Sequence, residues 1–234
     1  MVLRTSVIAP TSKLGSDSMV AHFRDGSLIH FRKGDVIIQG YKEPKGVHLI
    51  KSGFVKAYSI MHDKHRNLLV VHGPGELIPL PWALDGGHTR GMYYEAMVDV
   101  EVLRSGKDTL STAMDNNARL SREILSQTIS ILSIYAQRIQ ILEFRTARER
   151  IISELIYFAG RFGERRGKEI LINAPITQQD IADSVNVSRE TASRALGSLS
   201  KEGLMGQSNH LFTIRNVRKL QTVYDQLLTR LPSV

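Results

Sequence analysis

Residues 175–205, PITQQDIADSVNVSRETASRALGSLSKEGLM, decide the reading of this chain. Thr177, followed three residues later by Asp180, fits a capping box that opens a helix over 177–185. Ile181, Ala182 and Val185 recur at helical spacing and give that helix an inner face. Asn186 tolerates left-handed backbone, so the chain can turn sharply there. Val187 is expected as a buried hinge residue. Ser188 is a natural N-cap for a second helix over 188–201. Ala192, Leu196 and Leu199 then point inward, which leaves Arg189, Glu190, Ser193 and Arg194 outward. The stretch that follows, GLMGQSNHLFTIRN, reads as a short β-wing.

The outward set suits the reading of base edges. Each guanidinium fork can grip O6 and N7 of a guanine, a carboxylate can accept from the N4 amine of cytosine, and a hydroxyl can meet a phosphate or a base edge. The positions lie in the first turns of the second helix, the part that enters the major groove in a helix-turn-helix. A helix N-terminus also favours a phosphate, so Thr177, Gln178 and Ser188 complete the candidate DNA-contacting set. A solvated face with local ion pairs would account for Arg189, Glu190 and Arg194 by themselves. The capped first helix, the turn, the second helix and the wing, all in register, favour DNA.

Upstream, TARERIISELIYFAGRF at 146–162 has helical periodicity, with Ile151, Ile152, Leu155, Ile156 and Phe158 inward. GERRGKE at 163–169 reads as a basic turn and ILINAPI as a short strand, while VRKLQTVYDQLLTR near the C-terminus looks helical. Residues 117–145 contain no Gly or Pro. Leu120, Ile124, Ile131, Ile134 and Ile141 fall at steps that suit a coiled-coil seam, so a dimer interface is expected on them. A helix packed on its own domain is the alternative. Residues 22–104 read as short strands (LIHF, DVIIQG, GVHLIKSG, FVKAYSIM, NLLVVHGPG, MVDVEVLRS) with regular Gly and Pro punctuation, which suggests an antiparallel sandwich, barrel or jelly roll. Residues 1–20 lack periodicity and read as a loose arm. The expected fold is α+β: an arm over 1–20, an N-terminal antiparallel β-roll or jelly roll over 21–116, a long dimerisation helix over 117–145, and a C-terminal winged helix-turn-helix over 146–234.

Net charge is +8, and it is uneven. Residues 1–116 carry 14 basic and 12 acidic groups, whereas 117–234 carry 17 and 11. The C-terminal half is thus the one that faces a polyanion. The absence of cysteine removes disulfides, thiolate zinc sites and cysteine-ligated iron–sulfur clusters. No apolar run approaches the roughly 20 residues that span a bilayer, and the first residues lack a secretory signal. No membrane partner and a cytoplasmic location are therefore expected. Glu43, Asp63, Glu76 and Asp85 form no catalytic carboxylate spacing, and no P-loop, nucleophile elbow or HExxH occurs, so the chain is not read as an enzyme.

With these residues in view, the chain resembles the CRP/FNR family of bacterial regulators over roughly 22–230. ITQQDIADSVNVSRETASRAL is similar to that family's helix-turn-helix, and FRKGDVIIQGYKEPKGVHLIKSGFVKAYS is similar to the opening of its cyclic-nucleotide-binding β-roll. The resemblance implies a homodimer joined along the long helix, reading an inverted repeat through two recognition helices, with RNA polymerase as a further partner. It implies that Arg189 and Arg194 each contact a guanine and Glu190 a cytosine. Arg189 matches the cyclic-AMP receptor branch, whereas Ser193 matches the FNR branch. A TGTGA-like half-site is expected, with a TTGA-like core as second choice.

For an effector, the resemblance points to Gly75, Glu76 and Leu77, whose glutamate would meet a ribose hydroxyl, and to Arg90 for a cyclic phosphate. Gly91 departs from the serine expected after that arginine, and the loop IPLPWALDGGHT is longer than the family pattern. No cofactor is certain: a cyclic nucleotide is one expectation, while another small ligand or none is the other. His62, His65, His72 and His88 are a weaker candidate cluster for a metal or haem, and no metal site is assigned. A competing reading is a cyclic-nucleotide-binding regulatory module that acts on a protein partner.

Overall fold

The computed structural model describes residues 17–60, 65–85, 91–141, 143–144, 146–208 and 210–229. The chain divides into two compact units, with the division between Ala136 and Gln137. It falls inside the long helix, not at the 145/146 boundary expected from the end of the helical pattern.

The first unit is a β-roll. Its strands are β1 (Ser27–Phe31), β2 (Val36–Ile38), β3 (Val47–Ser52), β4 (Val55–Ile60), β5 (Arg66–His72), β6 (Leu77–Ile78), β7 (Met92–Ala96) and β8 (Val100–Ser105). They form two antiparallel sheets, in the orders β1-β8-β3-β6 and β2-β7-β4-β5. Alternation along β3 sets two faces. Val47 and Leu49 join an apolar cluster with Met19, Phe23, Trp82 and Leu110, while His48 and Ile50, also buried, alternate onto the opposite face of the strand. Helices α1 (Asp17–Phe23), α2 (Leu80–Ala83), α3 (Lys107–Asn116) and α4 (Ala118–Ile141) follow the strands in chain order or flank them. The loose arm expected over 1–20 is corrected at its end: Asp17–Phe23 is helical because Met19 and Phe23 are almost fully buried in the cluster. Residues 1–16 lie outside the described residues. The helical pattern also begins earlier than 117: α3 precedes it, and the Asn117 side chain accepts from Arg119 N and Leu120 N at the start of α4.

The second unit holds α5 (Ala147–Phe162), β9 (Gly163–Arg166), β10 (Glu169–Ile172), α6 (Gln178–Val185), α7 (Arg189–Lys201), β11 (Met205–Ser208), β12 (Leu211–Ile214) and α8 (Val217–Leu228). Thr146 caps α5 through a capping box with Glu149. The GERRGKE stretch, read as a turn, is a hairpin in which Glu169–Ile172 pairs with Gly163–Arg166. The wing strands β11 and β12 pair antiparallel, and β12 continues onto β10.

Candidate DNA-binding interface and effector turn

Helix α6 begins as its sequence requires. The Thr177 hydroxyl accepts from Asp180 N at 3.1 Å, and Asp180 Oδ2 accepts from Thr177 N at 2.9 Å. The helix ends at Asn186, in the left-handed region at φ 54° and ψ 57°, with its N–H bonded to Ala182 O. Val187 is half-buried rather than buried, because it sits at the corner where the chain leaves α6. The Ser188 hydroxyl then accepts from Thr191 N at 3.2 Å and starts α7. Ala192, Leu196 and Leu199 are buried at 0%, 3% and 0% exposure, which fixes the rotation of α7 about its axis. Burying Leu196 contributes about 1.5–3 kcal/mol to holding that orientation. Past the helix, Gly203 at φ +71° turns the chain, its N–H bonded to Ser200 O and that of Leu204 to Leu199 O, and the wing follows.

The rotation leaves Arg189, Glu190, Ser193 and Arg194 exposed on one side. The Glu190 carboxyl is held below its ordinary pKa, first by its own backbone N–H and then by the Ser188 hydroxyl. It is therefore a charged acceptor at neutral pH. Among the described residues, Arg189 makes no ion pair and Arg194 donates to Thr191 Oγ1, at 3.4 Å. The hydroxyls of Thr177 and Ser188 are engaged as helix caps. Gln178 is half-buried in the first turn of α6.

Two arginines brace this surface from behind. Arg138 donates to Ser184 O and to Glu154 Oε1, both at 3.0 Å, and Glu154 is fully buried. Arg148 donates to Ser198 Oγ at 3.1 Å and Glu202 Oε2 at 2.8 Å, fastening α5 to the end of α7. Sequence reasoning passed over both, since an arginine within a helical pattern carries no mark of its partner.

The β-roll residues expected at an effector are differently placed. Gly75 lies at φ +89° in the turn between β5 and β6, before α2 begins. Glu76 accepts from His72 Nδ1 at 2.8 Å. His72, 3% exposed, stacks on Tyr94 with ring centroids 5.9 Å apart. From α4, Gln127 Nε2 donates to Gly75 O at 2.8 Å while its Oε1 accepts from Leu77 N at 3.1 Å. The turn is thus tied down by its own neighbours, and the carboxylate assigned to a ribose already serves His72. Arg90 lies outside the described residues, as do His62 and His88. Among the described residues, no group of three or more His, Cys, Asp or Glu is placed to hold a metal ion.

The seam expected on α4 is corrected. Leu120, Ile124, Ile134 and Ile141 are 1%, 1%, 7% and 4% exposed in a single chain, and Ile131 packs against the β-roll cluster. That stripe is spent on intrachain packing. The opposite side of α4 exposes Leu125, Ile129, Leu132 and Ile139 at 57%, 54%, 66% and 66%.

Residues 28–117 match the cyclic nucleotide-binding domain family, and residues 149–223 match the Crp-like helix-turn-helix domain family. The chain belongs to the CRP/FNR family of transcription regulators. It is similar to the CRP-like cAMP-activated global transcriptional regulator of Mycobacterium tuberculosis (strain CDC 1551 / Oshkosh), 25% identical over 175 residues that cover 75% of this chain and 78% of that one. It is likewise 25% identical to the nitrogen fixation regulation protein FixK of Rhizobium meliloti (strain 1021), over 187 residues covering 80% and 78%. The solved structure of FixK2 from Bradyrhizobium japonicum superposes with a TM-score of 0.71 at 25% identity, covering 84% of this chain and 96% of that one. A CRP/FNR regulator is a DNA-binding protein and not an enzyme, and the helix-turn-helix of this one is α6–Asn186–α7. Among the described residues, no helix is long and apolar enough to cross a membrane.

Proposed function

We infer that this CRP/FNR regulator acts in the cytoplasm as a homodimer that reads an inverted repeat of TGTGA-like half-sites, a TTGA-like core being the second choice. The observation that carries this reading is the single exposed face of α7, where Arg189, Glu190, Ser193 and Arg194 stand on a helix capped and oriented by buried residues. Arg189 and Arg194 are assigned to guanines and Glu190 to a cytosine amine. The N-termini of α6 and α7, with Thr177, Gln178 and Ser188, position the phosphates.

The dimer is assigned to the exposed stripe of α4. Leu125, Ile129, Leu132, Ala136 and Ile139 recur at steps of four and three, and at 3.6 residues per turn they fall within an arc of about 80°. A second copy of the same helix completes such a stripe by knobs-into-holes packing. Two-fold symmetry would place the second recognition helix about 34 Å away, one turn of DNA along. RNA polymerase is proposed as the partner at the promoter.

Cyclic AMP is not assigned as the effector, since Glu76 is bound by His72 and the turn is tied to Gln127. Selection of bound duplex from a random pool, with and without cyclic AMP and cyclic GMP, tests both parts. The expected outcome is one inverted repeat, with G·C pairs at the two arginine positions, recovered equally in all three conditions. A half-site lacking G·C at those positions contradicts the base assignment, and recovery only with a nucleotide contradicts the effector reading.

A further inference from the structure

The β-roll contains a cavity of about 390 Å³ that is separate from the turn at Gly75–Leu77. Its apolar walls are Ile29 and Phe31 of β1 and Val36 and Ile38 of β2, so it opens between the two sheets. Lys42, Lys45, His48 and Arg104 supply its polar side, with Glu43 as the one acidic residue. Neither the effector turn nor any residue of α4 lines it. The volume lies in the range of small-molecule pockets, about 300–1,000 Å³.

The chemistry of the polar side is specific. No ion pair with a described residue engages Lys42, Lys45 or Arg104. Three cations therefore face the cavity against one carboxylate. Directly across the β3–β8 ladder from Arg104 stands His48, 4% exposed. Burial lowers the His48 pKa to about 4, and the charge of Arg104 pushes the same way. A hydrogen bond with the Ile78 backbone opposes this shift, as an N–H donated to a carbonyl does. His48 Nδ1 is buried with no partner. In a neutral ring whose other nitrogen carries the proton, Nδ1 is an acceptor waiting for a donor.

We propose that this cavity binds a small hydroxy acid with an apolar body, its carboxylate held by Arg104 and the flanking lysines and its hydroxyl donated to His48 Nδ1. An arginine fork matches a carboxylate in shape and charge. A hydroxyl supplies the proton that a bare carboxylate lacks, which selects a hydroxy acid over a simple fatty acid. Cross-strand neighbours have their Cβ atoms about 4.5–5.5 Å apart. The two polar groups of the ligand are therefore close together, as in a 2- or 3-hydroxy acid, with the tail against Ile29, Phe31, Val36 and Ile38.

Isothermal titration of the full chain with 3-hydroxyoctanoate, octanoate and methyl 3-hydroxyoctanoate tests the site. 3-Hydroxyoctanoate is expected to bind at least about tenfold more tightly than either analogue. Arg104→Gln weakens both acids by about tenfold or more, His48→Phe abolishes the preference for the hydroxyl, and Val36→Trp, at a partly exposed strand position, blocks the cavity. Circular dichroism and operator binding of the same preparations show that each variant is folded. Because operator binding is read separately, the site can fail while DNA reading stands, and the reverse. Absence of binding by 3-hydroxyoctanoate up to millimolar concentration overturns the proposal, as does binding that Arg104→Gln and Val36→Trp leave unchanged.

Discussion

Helix α7 and two clusters of the β-roll, around Glu95 and around Glu76, handle polar groups in opposite ways. On α7, Arg189, Glu190, Ser193 and Arg194 project into solvent, and their neighbours are capping hydroxyls and backbone. Around Glu95 and Glu76 of the β-roll the polar groups are committed to one another. Glu95 pairs with Lys56 at 3.3 Å and Arg66 at 2.9 Å and accepts from Tyr58 Oη at 3.0 Å. Burial, followed by that bond to Glu95, pushes the Tyr58 pKa up to about 12. Glu76 accepts a hydrogen bond from His72 Nδ1, and Gln127 spans Gly75 and Leu77. Uncommitted donors on a rigid helix are ready to pair with base edges at no cost in broken internal bonds. Committed groups hold a turn in place and are poor ligand hooks. The difference is between side chains left available to a partner on α7 and side chains already bonded at the Gly75–Leu77 turn.

The largest expected effects separate the two stripes of α4. Leu120→Ala removes a buried side chain and should cost about 2–5 kcal/mol of stability in a denaturant titration, without altering subunit association in the folded protein. Leu132→Asp should leave the monomer folded but place a carboxylate in the subunit contact. A loss of at least about 3 kcal/mol in association is expected, read by sedimentation as a shift to monomer and by gel shift as loss of the inverted-repeat complex. If Leu132→Asp remains dimeric, the seam is elsewhere.

Next in size is the recognition face. Arg194→Ala should weaken operator binding by about 1–3 kcal/mol and relax the preference at one base pair, while circular dichroism stays unchanged. The contrasting prediction concerns His48. Its folded pKa of about 4 lies below the ordinary 6.5. The unfolded chain therefore takes up the proton first as pH falls. The stabilising contribution of the neutral ring is complete above about 6.5 and is lost as pH drops through that window toward 4. Between pH 7 and 5 the loss should be about 2 kcal/mol, and His48→Gln should flatten the profile. The smallest effect is that of Gln127→Leu, which strands the Gly75 carbonyl and the Leu77 N–H. It should cost about 1–2 kcal/mol of stability and leave the selected operator unchanged.

The helix-turn-helix was legible because every local signal agreed. Thr177, Asn186 and Ser188 mark ends and turn by their own chemistry, and the inner face keeps a period of 3.6 residues. Helix α4 was legible as a helix but not in its orientation. It carries two apolar stripes, Leu120–Ile124–Ile131 and Leu125–Ile129–Leu132–Ile139, and periodicity alone does not say which one faces the β-roll. The surroundings of the Gly75–Leu77 turn were hidden for a related reason. Gly75–Glu76–Leu77 is a short pattern, and the partners that change its meaning are His72, four residues earlier, and Gln127, on another element. Helix α1 escaped notice because two residues, Met19 and Phe23, hold it, too few for a period to show.

Equilibrium binding of the purified chain to the selected inverted repeat, against a shuffled duplex of equal length, tests the role of α7 most directly. Fluorescence anisotropy at about 0.15 M ionic strength suits it, since exposed charges are screened there and nonspecific attraction is reduced. The expected result is a preference of about a thousandfold or more for the inverted repeat, most of it lost in Arg189→Ala/Arg194→Ala. Equal affinity for both duplexes, or a preference that survives loss of both arginines, contradicts the account.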